Sequence, residues 1–435
     1  MLQVISYPER SQWAKLITRP ELDNSSILKS AKSILTDVRE RGDSSLLDYT
    51  EKYDGYRPDK LLMPTETLAD AVNQISPELK AAIAIAEDNI RHFHKAQREA
   101  VMPIETMPGV RCWRKSIPIR RVGLYIPGGT APLFSSLLML GLPAKIAGCA
   151  ELVLCTPPDK NGAVHPAIRY IAAKLGVREM YTVGGAQAIA AMAYGTGSIR
   201  KVDKIFGPGN RYVTAAKQLV QEAGVAIDMP AGPSEVLVIA DALSNPDFVA
   251  ADLLSQAEHG ADSQVMLVVI DAAGDAGSFI ESVQLALKAQ LNMLPRKDIA
   301  ARAMENSYIF RFRNETEAMD FSNAYAPEHL IISTKHAISL SEKVTQAGSV
   351  FIGKYACESA GDYASGTNHT LPTNGYARSY SGVSLDSFLK KVTFQEISEK
   401  GLRNIGQAVE IMAEAEGLYA HKNAISIRLK SIDHD

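Results

Sequence analysis

"RVGLYIPGGTAP", residues 121–132, is a short apolar run that breaks into a glycine-rich turn. It reads as a β-strand handing over to a helix. The same texture recurs downstream in "ELVLCTPP", "EMYTVGG", "KVDKIFGPG", "EVLVIAD" and "QVMLVVID". Between these runs lie "PAIRYIAAKLG", "QAIAAMAYG", "NRYVTAAKQLVQEAG" and "PDFVAADLLSQAEHG", all with helical spacing. Strand–helix alternation of this kind predicts a mostly parallel α/β sheet.

Outward from this region the texture changes. In "SSILKSAKSILTDVRERG" the residues Ile27, Ala31, Ile34, Leu35 and Val38 form one stripe before Gly42, with Ser25 or Ser26 as cap. In "SPELKAAIAIAEDNIRHFHKAQRE", Ser76 caps, Pro77 fills the first turn, and Leu79, Ile83, Ala86, Ile90 and Phe93 line one face. His92 and His94 point apart on such a helix and read as surface residues. Near the C-terminus, Leu402, Ile405, Val409 and Met412 again mark an amphipathic helix.

The bulk numbers narrow the function classes. At 435 residues, and roughly 100–200 residues per domain, the chain holds two to four domains. A net charge of −3 gives no support for a nucleic-acid partner or a polybasic membrane anchor. "MLQVISYPERSQW" has no apolar signal core, and Pro143 and Lys145 break the greasiest run, so neither secretion nor a membrane span is expected. Four cysteines without a C-x-x-C pair read as thiols in a reducing cytoplasm.

Several stretches carry possible chemistry. "PGGTAP" (127–132), "GGAQ" (184–187) and "GPGN" (207–210) sit at strand-to-helix turns, where open parallel sheets bind ligands and helix N-termini attract phosphate. They are equally compatible with ordinary tight turns. No G-x-G-x-x-G fingerprint is present, and "GSVFIGKY" reads as a strand rather than a P-loop. In "DLLSQAEHGADSQ", Asp252, Ser255, Gln256 and His259 would share one polar helix face, with Gln256 and His259 able to chelate an ion. In "YAPEHLII", Glu328 and His329 are an adjacent acid and base, unless Pro327 simply opens a helix there. "AGDYASGTNHTLPTNG" (360–375) is too polar to be core, yet it carries Asp362 and His369. Glu416 and His421 follow a helix that ends at Gly417. Two imidazoles, a carboxylate and an amide oxygen would suit zinc or a similar transition ion better than calcium or magnesium.

Seven ordered runs together resemble the histidinol dehydrogenase family: "RVGLYIPGGTAP", "GPGNRYVTAAK", "DMPAGPSEVLVIAD", "LLSQAEHGADSQV", "APEHL", "GDYASGTNHTLPTNGYAR" and "GLYAHKNAIS". They span about 120 to 428. The resemblance implies an α/β fold of two incomplete Rossmann-like domains with parallel sheets, plus small helical terminal segments. The expected division is an N-terminal arm (1–22), a substrate and zinc domain (23–119 with 233–377), an NAD-binding domain (120–232) and a C-terminal helical arm (378–435). It implies oxidation of L-histidinol to L-histidine through L-histidinaldehyde, with two NAD+ and one Zn2+ per subunit, in a cytoplasmic homodimer whose sites are shared between subunits. Carried over by position, Gln256, His259, Asp362 and His421 would hold zinc. Glu328 and His329 would be the catalytic acid–base residues. Ser234, His369 and Glu416 would join the zinc ligands and His329 in binding substrate, and Tyr125, Gln187 and Asn210 would contact NAD. Phe134 and Tyr419 are less usual for the family.

Overall fold

The computed structural model describes residues 2–20, 25–128, 132–274 and 276–434. Part of the expected turn at 127–132 and of the expected arm at 1–22 lies outside the described residues. In chain order the strands are β1 (Gln3–Ser6), β2 (Ile104–Met107), β3 (Val110–Pro118), β4 (Arg121–Tyr125), β5 (Glu151–Thr156), β6 (Glu179–Thr182), β7 (Lys204–Phe206) and β8 (Ala226–Ile227). They continue with β9 (Glu235–Asp241), β10 (Gln264–Ile270), β11 (Tyr308–Phe312), β12 (His329–Ser333), β13 (Ser349–Ile352) and β14 (Leu389–Ile397). The chain divides into two compact units, one of residues 1–96 and 119–387, the other of residues 97–118 and 388–435.

The larger unit holds two parallel sheets, as expected. One has the order β6-β5-β4-β7-β8, the other β1-β11-β10-β9-β12-β13. Helices cover both faces of the second sheet, so its central strands read as unbroken apolar runs rather than alternating ones. The two-residue period still sorts them. Val236, Val238, Val265 and Leu267 pack on one side with Leu253 and Val283. Leu237, Ile239, Met266 and Val268 pack on the other with Trp13 and Phe321. Within the expected N-terminal arm, β1 adds an edge strand alongside β11.

The helix Ser25–Arg41 buries the five stripe residues read from the sequence. Its Ile34, Leu35 and Val38 join the core of the five-stranded sheet with Val153 and Ile189. That differs from the expected grouping of 23–119 with 233–377. In the helix Pro77–Ala96, Ser76 Oγ caps Leu79 N–H at 3.2 Å, as read. The stripe ends on His94, however, not Phe93: His94 is buried and Phe93 is 45% exposed. His94 lies four residues after Ile90, one turn on, and its Nδ1 sits 2.8 Å from Ile90 O. The surface assignment of His94 is therefore corrected.

In the smaller unit β3 pairs antiparallel with both β2 and β14. The C-terminal segment is thus not purely helical. "LKKVTFQEI" spans nine residues opposite β3, with Phe394 stacked on Trp113 at 5.6 Å. Helices Glu399–Ala415 and Tyr419–His434 follow.

Candidate functional site

Glu328 and His329 are placed by a corner, not by a helix start. The helix Glu315–Tyr325 ends, and Ala326 adopts φ +54, the left-handed region. Pro327 and Glu328 then lead into β12, whose first residue is His329. A non-glycine residue held left-handed costs roughly 1–2 kcal/mol, so the surroundings must hold this corner. Both side chains are buried. Glu328 Oε2 accepts the Glu235 N–H at 2.8 Å. His329 Nδ1 lies 3.1 Å from Glu235 O and 3.5 Å from Glu328 Oε2. Both are acceptors, so Nδ1 carries the proton, and Nε2 is left facing Asp362 Oδ1 at 3.5 Å. Burial by itself would depress the His329 pKa. The carboxylates of Glu328, Asp362 and Glu358 outweigh it and raise the pKa well above the usual histidine range.

Gln256 is the penultimate residue of the helix Pro246–Ala257 and is buried. Its Nε2 lies 3.1 Å from His329 Nδ1, which already carries a proton for two acceptors, so the amide is poorly engaged there. Its Oε1 has no partner. His329 Nε2, Asp362 Oδ1 and Glu358 Oε2 are likewise buried without partners. Buried polar atoms are rarely left unpaired, and several in one neighbourhood mark a place where a polar guest is held. An amide oxygen and a carboxylate oxygen are donors that fit a zinc ion in a mixed N/O shell.

The helix stops at Ala257, so His259 does not share a helix face with Asp252 and Ser255, as the spacing had suggested. Glu258 is the cap, and His259 lies beyond it, exposed, with its N–H on Gln256 O at 3.2 Å. Burial acts to raise the Asp362 pKa, but the hydrogen bond and charge of His329, with smaller effects of His369 and His259, hold its carboxyl below the usual range. Asp362 sits on a short helix, Glu358–Tyr363, so the polar stretch begins with a helical turn rather than as loop throughout. His369 follows in the loop. Its Nδ1 donates to Asp362 O at 2.9 Å, and its Nε2 lies 2.9 Å from Ser136 Oγ. Burial holds its pKa below the usual value, so the neutral ring accepts from the serine hydroxyl.

Glu416 and His421 belong to the smaller unit. Glu416 caps the helix Glu399–Ala415, and His421 is in the first turn of the next. Both are exposed. Among the described residues no three His, Cys, Asp or Glu side chains are grouped to hold a metal ion. Tyr419 is 65% exposed, and Phe134 stacks on His165 at 6.4 Å.

On the five-stranded sheet, Tyr125 ends β4 and its hydroxyl accepts the Gly185 N–H at 3.1 Å. Burial pushes its pKa to about 12, so it stays neutral. Gln187 is buried in the first turn of the helix Gly185–Tyr194. Asn210 caps the helix Arg211–Val220, its Oδ1 accepting from Tyr212 and Val213 N–H at 3.0 and 3.1 Å. The preceding turn needs glycine: at Gly207, φ is +133 and a Cβ would lie 2.0 Å from Tyr125 O. Lys217 Nζ holds Gly207 O at 2.9 Å, and Asp228 holds Gly207 N–H at 2.8 Å. A cleft of about 1350 Å³ brings Asn210, Ser234 and His259 to one surface, with Arg19 and Glu235 also on its wall. Cys149 and Cys155 are poor nucleophiles, because burial pushes their thiols up to about 11 and 12.

Sequence reading missed Ser136, Glu358, Arg19 and Glu235. Glu358 had a signal, since it lies four residues before Asp362 and a helix puts both on one face. It is buried against Ser255 Oγ, and burial pushes its pKa up to about 8.

A histidinol dehydrogenase family model matches residues 17–429. A histidinol dehydrogenase of Bacteroides thetaiotaomicron is 55% identical over 432 residues, 99% of this chain and 100% of that protein. A chloroplastic histidinol dehydrogenase of Arabidopsis thaliana is 52% identical over 97% of this chain and 90% of its own length. The crystal structure of histidinol dehydrogenase from Elizabethkingia anophelis superposes with a TM-score of 0.96 at 52% identity, covering 99% of each chain.

Proposed function

The chain belongs to the histidinol dehydrogenase family and is an oxidoreductase of that type, acting on histidinol in histidine biosynthesis, and from this we propose the finer chemistry of its site. It oxidises L-histidinol to L-histidinaldehyde and then to L-histidine, passing one hydride to each of two NAD+. Gln256, His259 and Asp362, with His421, hold one zinc ion per subunit. When bound, the zinc gathers and orients the substrate without taking electrons, since it has no accessible redox state.

The protein's own groups divide the proton work. Nδ1 of His329 is tied to Glu235 O, so Nε2 is the nitrogen left for the substrate; a cation held by Asp362 would offset the carboxylate charge that raises the His329 pKa, and the ring, once neutral, takes the hydroxyl proton at Nε2 as hydride leaves. Glu328 Oε2 is tied to Glu235 N–H, which leaves Oε1 to draw a proton from the water that adds to the aldehyde. Ser136 and Asp362 O fix the His369 ring toward the substrate together with Ser234 and Glu416. Tyr125, Gln187 and Asn210 contact NAD+ at the strand ends.

The observation that carries this reading is the set of unpartnered buried atoms on Gln256, His329 and Asp362, residues that the family resemblance had already singled out. A homodimer with sites shared between subunits is supported by the apolar residues Ile411, Met412, Leu418 and Ile427, exposed on the two C-terminal helices and the turn between them, the second of which carries His421. No helix among the described residues is long and apolar enough to cross a membrane, and all four cysteines are thiols, which suits a cytoplasmic setting. The test is NADH formed per L-histidinol consumed. Two is expected; one would remove the second oxidation.

A further inference from the structure

Glu235 is a buried carboxylate at the start of β9, with no part in the chemistry just described. Its backbone nonetheless touches both members of the acid–base pair: its N–H holds Glu328 Oε2 at 2.8 Å, and its C=O holds His329 Nδ1 at 3.1 Å. Where that peptide sits decides where both catalytic groups point.

The side chain of Glu235 is in turn clamped. Arg19 Nε and Nη2 reach its two carboxylate oxygens at 2.7 and 2.9 Å, a bidentate fork. Asn374 N–H adds a bond to Oε1 at 2.8 Å. Arg19 also spans to the other side of the pair. Its Nη2 donates to Tyr325 O at 2.9 Å and lies 3.4 Å from Ala326 O. Its guanidinium carbon stacks 4.0 Å from the centre of the Tyr325 ring. Tyr325 and Ala326 are the corner that delivers Glu328, and Ala326 is the residue held left-handed. One guanidinium thus ties β9 to the corner before β12, and the acid–base pair hangs between the two.

We propose that Arg19 and Glu235 form a positioning pair that fixes Glu328 and His329 for proton transfer. The proposal rests on the assignment of Glu328 and His329 as the acid–base residues. A lysine could not replace Arg19, because one ammonium cannot take two carboxylate oxygens and a carbonyl on the far side while stacking on a ring. Misplacement of reacting groups by about 1 Å can cost on the order of 10²-fold in rate. Loosening this clamp should therefore lower kcat while leaving substrate affinity nearly unchanged.

The test uses the full-length enzyme and the variants Arg19→Ala and Arg19→Lys, with Glu328→Gln measured alongside. Arg19→Ala should lose on the order of 10- to 100-fold in kcat, with KM for L-histidinol and NAD+ within about twofold. Because Arg19 lines the open cleft, guanidinium chloride far below denaturing concentrations should restore part of the rate, while urea and sodium chloride should not. Arg19→Lys, which keeps the charge and so protects the fold, should show a smaller kcat loss, again without a KM change. Normal kcat in both variants overturns the proposal. So does a loss in well-folded Arg19→Ala that guanidinium leaves untouched, or a loss confined to KM. If Glu328→Gln is itself fully active, the acid–base assignment fails first. If Glu328→Gln is impaired and the Arg19 variants are not, only the positioning pair fails.

Discussion

Glu328→Gln should separate the two proposed oxidations. The replacement is nearly isosteric, and the amide oxygen can still accept the Glu235 N–H that Glu328 Oε2 holds at 2.8 Å. The folded state therefore keeps its bond, and the stability change should stay within about 1 kcal/mol. What is lost is the ability to take a proton. A general base contributes roughly 10²–10⁴-fold, which is about 3–5 kcal/mol of barrier. Alcohol oxidation adds no water, whereas aldehyde oxidation must. The carboxylate also lies 3.5 Å from His329 Nδ1, so removing its charge weakens both steps by a common factor. The readout is consequently the ratio of the two losses. Single-turnover NADH formation, started separately from L-histidinol and from L-histidinaldehyde, isolates each hydride transfer. The aldehyde reaction should slow at least tenfold more than the alcohol reaction. Equal losses would refute the division of labour between Glu328 and His329.

His259→Ala should lose bound zinc, measured by metal analysis of the purified protein, with little change in melting temperature because the side chain is exposed beyond a helix end; full zinc occupancy would reject His259 as a ligand. Heterodimers of His421→Ala and His259→Ala subunits should regain part of the activity both homodimers lack, and none would mean that each chain completes its own site. The hydrogen bond from Arg121, and then its charge, hold the Glu179 carboxyl down at about 2, against burial. This depressed carboxylate stabilises the fold above its ordinary range near 4.5, and the contribution fades as the pH falls toward 2. Arg121→Met should thus cost about 2–3 kcal/mol at neutral pH, a gap that closes in acid; a gap independent of pH, seen in denaturant melts, would reject the linkage.

Much of this protein is written locally. The strand–helix alternation from 121 onward, the stripe of Ile27, Ala31, Ile34, Leu35 and Val38, and the Ser76 cap depend on neighbours in sequence, and each is found where the pattern placed it. Motif residues were legible for a related reason: Glu328, His329, Asp362 and His369 stand out because polar groups gain nothing from a core. The local pattern misjudged what depends on partners. His94 is buried because the helix face that meets its neighbours continues to it rather than to Phe93. His259 leaves its helix because the helix ends two residues earlier. β14 forms because Phe394 finds Trp113, a residue far away along the chain. The supports of the site were silent for the same cause. Ser136, Glu235 and Arg19 are unremarkable in sequence: Ser136 acts through His369, 233 residues away, Glu235 through Glu328 and His329, and Arg19 through Glu235 and Tyr325, the latter 306 residues away. Side-chain chemistry is a property of the sequence. Which hydrogen bond holds which reactive atom is set by long-range packing, and only the tertiary structure decides it.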